Sequence, residues 1–149
     1  MRYLFLFVLV LCATACVNSG DTPSDMCTLL FTINQERDIY DQSDYGEPPQ
    51  FAIWLENQAT GSVKTVFVTH RTGSGDFEGK VECPVSLPAW FGAFRKETGR
   101  SDIPSIQKPA DMAITGATPK AHNFSTRFTV PLDSHWFYFV EVNVSGDYT

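Results

Sequence analysis

Five runs of β-branched and aromatic residues between Cys27 and Val144 set the fold class. The run Gln50–Asn57 (QFAIWLEN) alternates Phe51, Ile53 and Leu55 with Ala52, Trp54 and Glu56. A period of two is the signature of a strand. After a turn at Ala59–Ser62 the pattern resumes over Val63–His70 (VKTVFVTH), so the two runs read as a hairpin. Cys27–Asn34 (CTLLFTIN) is a further strand ahead of them. Asn123–Val130 (NFSTRFTV) places Phe124, Thr126, Phe128 and Val130 on one face and Arg127 on the other. A turn at Pro131–Ser134 leads into Trp136–Val144 (WFYFVEVNV). That run is apolar on both faces for much of its length, which predicts a central position in a sheet.

One short helix is expected after residue 86. Ser86 is placed to cap it, Pro88 suits its first turn and Gly99 falls just past its end. Trp90, Phe91 and Phe94 form its apolar side, with Arg95 and Lys96 near the C-terminal end, where the helix dipole favours cations. The sum is a mainly β protein, a β-sandwich with one short helix. Sandwiches of the immunoglobulin type have about seven strands. Segments 77–84 and 145–149 are candidates for the short extras. The chain ends at Gly146-Asp147-Tyr148-Thr149, so it is either incomplete or ends on a strand.

The first residues are an address, not part of the fold. Arg2 precedes an apolar run from Tyr3 to Leu11, followed by Cys12-Ala13-Thr14-Ala15-Cys16. The run is too short for a spanning helix, which needs about 20 residues, and suits a secretory signal. Small residues at Ala13 and Ala15 suit cleavage before Cys16. The segment resembles a bacterial lipoprotein signal, although Ala13 stands where that pattern usually has Leu. The resemblance implies lipid on Cys16; plain secretion and an uncleaved membrane stub are the alternatives. The expected organisation is a signal peptide over 1–15, a lipidated Cys and polar tether over 16–26, and one β-sandwich domain over 27–149. The localisation that follows is extracytoplasmic, in a bacterial envelope, held to a membrane by lipid on Cys16.

The 149 residues carry 11 basic and 17 acidic side chains, a net of -6. Cleavage after Ala15 removes only Arg2 among them, which takes the net to about -7. This sign argues against a nucleic-acid binder, which must neutralise phosphates. Cys27 and Cys83 stay in the body. Outside the cytoplasm such a pair is a candidate disulfide, closing a loop worth about 4 kcal/mol of chain entropy. Two separate thiols are the alternative.

No side-chain pattern marks an enzyme. His70, His122 and His135 lack the spacing of metal ligands. There is no G-x-S-x-G elbow, C-x-x-C pair or H-E-x-x-H helix. Gly73-Ser74-Gly75 with Gly79 fits neither phosphate-loop pattern and reads as a flexible connection. The acidic stretch Glu36, Asp38, Asp41, Asp44 and Glu47 lacks the order of a calcium loop and reads as solvated. No metal or resident cofactor is expected from these residues.

One short motif points to chemistry. Thr115-Gly116-Ala117-Thr118 resembles the acceptor motif of proteins that carry FMN covalently, in which a flavin transferase joins the FMN phosphate to the last Thr hydroxyl. A glycine there lets the transferase approach the backbone. The family's Asp lies six residues ahead of the acceptor; here Asp111 lies seven ahead of Thr118. The other reading is a Gly-centred turn.

A wider resemblance gathers several of these pieces. Phe51–Glu56 (FAIWLE), Thr65–Thr69 (TVFVT), Leu87–Phe91 (LPAWF), Ile114–Pro119 (ITGATP) and Glu141–Asn143 (EVN) together resemble the predicted periplasmic proteins of domain-of-unknown-function family twenty-two seventy-one. The resemblance implies an immunoglobulin-like sandwich outside the cytoplasm, without an established activity. It also implies association with envelope redox systems that include flavin transferases. Two functions follow as expectations. The first is a non-catalytic accessory or binding module whose partners are envelope proteins. The alternative is an electron carrier with FMN on Thr118, its ring shielded by aromatics such as Trp90 or Phe91.

Overall fold

Alternation puts half of each strand's side chains on one face, and a strand apolar on both faces must be covered twice. Gln50–Asn57 (β2) meets this condition. Its five residues Phe51 to Leu55 are all buried. The computed structural model describes residues 25–34, 36, 38, 42, 49–77, 82–83, 85–110, 115–116 and 123–143. The other elements are the strands Met26–Asn34 (β1), Val63–Thr69 (β3), Thr115–Gly116 (β4), Asn123–Pro131 (β5) and Trp136–Asn143 (β6). Helices His70–Ser74 (α1) and Pro88–Thr98 (α2) follow β3.

The strands form two sheets, β1-β5 and β4-β3-β2-β6. All pairings are antiparallel except the short parallel match of β4 to β3. Placing β1 and β5 in one sheet and β3-β2-β6 in the other reproduces the central connectivity of an immunoglobulin-like sandwich. The predicted hairpin is present as β2 and β3, with a bulge at Val66: Ile53 pairs with Phe67 and Trp54 with Thr65.

Two apolar clusters lie on opposite faces of β2. Phe51, Ile53 and Leu55 face the β1-β5 sheet and pack with Phe31, Phe67 and Val130. Ala52 and Trp54 face α2 and pack with Leu87, Trp90, Ala93 and Phe94. The molecule therefore has a two-stranded sheet on one side of the larger sheet and a helix on the other.

Four expectations are corrected. Among the described residues the strand β6 is not central; it is the last strand of its sheet, and β2 and β3 lie inside. Two apolar faces require two coverings, which β2 receives over Phe51–Leu55 and β3 over Thr65–Thr69, while β6 keeps exposed apolar side chains. The short helix expected after residue 86 is present as α2, and Gly73-Ser74 belongs to a further short helix, α1, which ends at Gly75 in the left-handed region (φ 68). Thr115–Gly116 is a strand against Val68 and Thr69 rather than a plain turn. Ser86 does not cap α2. Its N-cap is Leu87 without a side-chain cap, and the Ser86 hydroxyl bonds Thr72 Oγ1 at 2.8 Å. Of the proposed extra strands, residues 77, 82 and 83 are not strand, and 145–149 lie outside the described residues.

Candidate interaction surface

The strand β6 follows a tight turn from β5 and pairs with β2 from Gln50↔Asn143 to Asn57↔Trp136. Among the described residues nothing pairs with its other edge. Exposed apolar side chains gather there: Phe137 is 56% exposed, Tyr138 49%, Phe139 38% and Val142 43%. Leu132, in the preceding turn, is also exposed. Only Glu141 in this strand is charged, and it is already engaged. Its carboxylate accepts the backbone N–H groups of Ala89 (3.1 Å) and Trp90 (2.7 Å) at the start of α2. It thus supplies from a distant strand the cap that Ser86 does not.

On the α2 side of the sheet, Phe139 stacks on Trp54 at 5.2 Å between centroids and an interplanar angle of 12°. Phe137 lies 6.5 Å from Phe139. The Trp54 indole N–H is buried with no hydrogen-bond partner among the described residues, an omission that costs about 1–3 kcal/mol. On the other side, Tyr138 meets Phe31 of β1 edge-on at 6.3 Å. Beside this contact a cleft of about 260 Å³ opens between the sheets. Cys27, Leu29, Leu55, Val130, Trp136 and Tyr138 line much of it. The outer edges of β1 and β6 flank this cleft on the same side of the sandwich, since β5 instead lies over β3, with Phe124 4.3 Å from Phe67.

The sequence motifs lie elsewhere. Thr115 and Gly116 form β4, at the far edge of the same sheet. Ala117, Thr118, Asp111 and Cys16 lie outside the described residues, as does most of the acidic stretch. Trp90 does not fit the role of a flavin shield. It is buried in the core, and its indole N–H donates to Thr65 Oγ1 at 3.2 Å. Phe91 is half-buried with the Arg95 guanidinium 5.3 Å above its ring. Cys27 is half-buried on β1, Cys83 is exposed, and no disulfide joins them.

His70 opens α1, with Nε2 3.4 Å from Ser74 Oγ and 4.0 Å from Asp76 Oδ2. His135 is exposed before β6, and His122 lies outside the described residues. Among the described residues no three of His, Cys, Asp and Glu converge as metal ligands, and no helix is long and apolar enough to cross a membrane.

Sequence reasoning missed the β6 surface, although its signal was there: an apolar run whose only charge is one glutamate. Such a run does not by itself say whether both of its faces are covered. No family model, curated protein or solved structure matches the chain. The family resemblance rests on the quoted motifs alone.

Proposed function

We propose that this chain is a non-catalytic, extracytoplasmic lipoprotein that works as an accessory binding module. Its binding surface is the outer part of β6, and lipid on Cys16 holds it to a bacterial membrane. The exposed row Phe137, Tyr138, Phe139 and Val142 carries this reading. Apolar side chains left exposed on both faces of one strand are costly to keep in water, and such surface marks sites of interaction. The resemblance to envelope proteins adds the expectation of a redox-linked partner system. Site-specific photo-crosslinking tests the module. A benzophenone side chain at residue 137 or 138 should give discrete adducts in the envelope, and one at exposed Gln107 should not. Absence of adducts from both β6 positions would sink the reading.

A second reading is supported by β4. Among the described residues Thr115–Gly116 forms the outermost strand of its sheet, and Thr118 follows it by two positions in the chain. In this reading Thr118 carries FMN through a phosphoester. The flavin would supply electron transfer, and the chain would supply the acceptor hydroxyl and its placement. An intact mass after co-expression with a flavin transferase should rise by one FMN less water, and Thr118→Ala should abolish the gain. An unmodified mass, with the transferase active on a control substrate, would eliminate the carrier.

A further inference from the structure

We infer that the partner binds as an added β-strand: an extended segment of another protein pairs with the open edge of β6 and inserts alternate apolar side chains into the cleft beneath β1. The inference rests on the binding-module reading and names the chemistry of the partner.

Three observations fix that chemistry. The first is backbone. The strand β6 runs for eight residues, and from Trp136 to Val142 its outer edge has no strand partner among the described residues. Its N–H and C=O groups on that side call for an extended partner. Native edges are usually protected by lysine, proline or an inward charge. Here the strand has no lysine or proline, and its one charge is spent on α2.

The second observation is the cleft. Its volume of about 260 Å³ is lined mainly by apolar side chains. Tyr138 belongs both to this lining and to the exposed edge. A strand laid beside β6 would send every second side chain toward this space. Valine, leucine or phenylalanine at those positions would cover Tyr138 and Trp136. The segment must therefore alternate apolar with polar residues.

The third is charge, which separates a partner from a second copy. Two copies joined edge to edge through β6 would bring together bodies that each carry a net of about -7 once residues 1–15 are removed. Such pairing would also leave the cleft unfilled. Exposed Asp133 lies in the turn at the cleft's mouth, between the lining residues Leu132 and Ser134. A foreign strand with basic ends complements that charge and fills the cleft.

The test is fluorescence anisotropy with the full chain and a labelled peptide that alternates valine with threonine and carries lysines at both ends. The peptide should bind saturably. Tyr138→Lys should weaken it at least tenfold, and Ile106→Lys, an exposed change away from the cleft, should not. Two further peptides make the test independent of protein variants. One is N-methylated on the valines and the other on the threonines. A paired strand turns only one of these sets toward β6, so one peptide should lose at least tenfold and the other should bind nearly as well as the parent. Equal binding by both methylated peptides would overturn strand addition, because only side chains would then be recognised. No peptide binding, together with a dimer of the full chain that Tyr138→Lys dissociates, would replace the foreign strand with a second copy and leave a binding module standing. No peptide binding, no dimer and no adducts from residues 137 and 138 would remove both the inference and the module.

Discussion

Two glycines show how much a single position depends on its surroundings. Gly75 ends α1 at φ 68, and a Cβ built there would lie 2.5 Å from the backbone O of Pro104 and the Cα of Ser105. Neither atom can swing away, so the closeness of the 104–105 backbone to α1 requires glycine. Gly75→Ala should destabilise the protein by about 2 kcal/mol or more, combining left-handed strain with the clash. Gly92, inside α2, is exposed and its added Cβ would meet nothing within 4 Å. Gly92→Ala should therefore stabilise by about 0.5–1 kcal/mol, the entropy that a helical glycine loses. Urea denaturation of the two variants should move the midpoint in opposite directions. A third residue links stability to pH. The Arg100 guanidinium bonds Asp102 and also the carbonyls of Lys108 and Pro109. Its hydrogen bond to Asp102 lowers that carboxyl's pKa below the ordinary value of 3.8. A depressed folded-state pKa gives stability that is present above the unfolded pKa and lost as pH falls through the folded one. Asp102→Asn should flatten the stability profile below about pH 4 relative to the parent; an unchanged slope would show that the pair contributes nothing to folding.

The helix α2 forms where its sequence signals place it, but one of those signals works differently from its expected role. Pro88 and Gly99 do mark its ends, with Gly99 at φ 72 donating its N–H to Arg95 O. The predicted cap at Ser86 fails, because Ser86 is committed to a buried hydroxyl chain with Thr72, Gln50 and Thr69. Glu141, more than fifty positions away in the chain, takes its place. Glu141→Ala should cost about 1 kcal/mol, the usual worth of a cap, and Glu141→Gln should recover part of that loss. The other end is tied to the sheet in a comparable way. Glu97 accepts the N–H of Thr65 at 2.8 Å next to the bulge in β3. Placing β6 at the edge was beyond sequence reading, since a run apolar on both faces reads the same in the middle of a sheet and in an edge strand with exposed aromatics.

At the level of the whole molecule, β2 joins two clusters that share no face. Leu55 belongs to the cluster under β1 and β5, and Leu87 to the cluster under α2. Each is fully buried. Either change to Ala should cost about 2–5 kcal/mol. Because both clusters pack on the same strands, each variant should still unfold in one transition, with tryptophan fluorescence and far-ultraviolet circular dichroism coinciding. Separate transitions for the two probes would show that the faces of β2 fold independently.

The strand runs, the β2-β3 hairpin and the helix over 88–98 were legible in the sequence because each depends on local periodicity and on turn residues a few positions apart. So was the division of β5, where Phe124, Phe128 and Val130 turn inward and Arg127 outward. The flavin-acceptor motif was legible only as a pattern; its Thr118 lies outside the described residues. Tertiary structure alone decided what covers each apolar face, which carboxylate caps α2, why Gly75 must be glycine, and that Trp90 serves the core. These outcomes depend on segments brought together from distant parts of the chain. The place of β6 at the end of its sheet among the described residues, beside an apolar cleft, is one of them, since it arises from how the two sheets face each other.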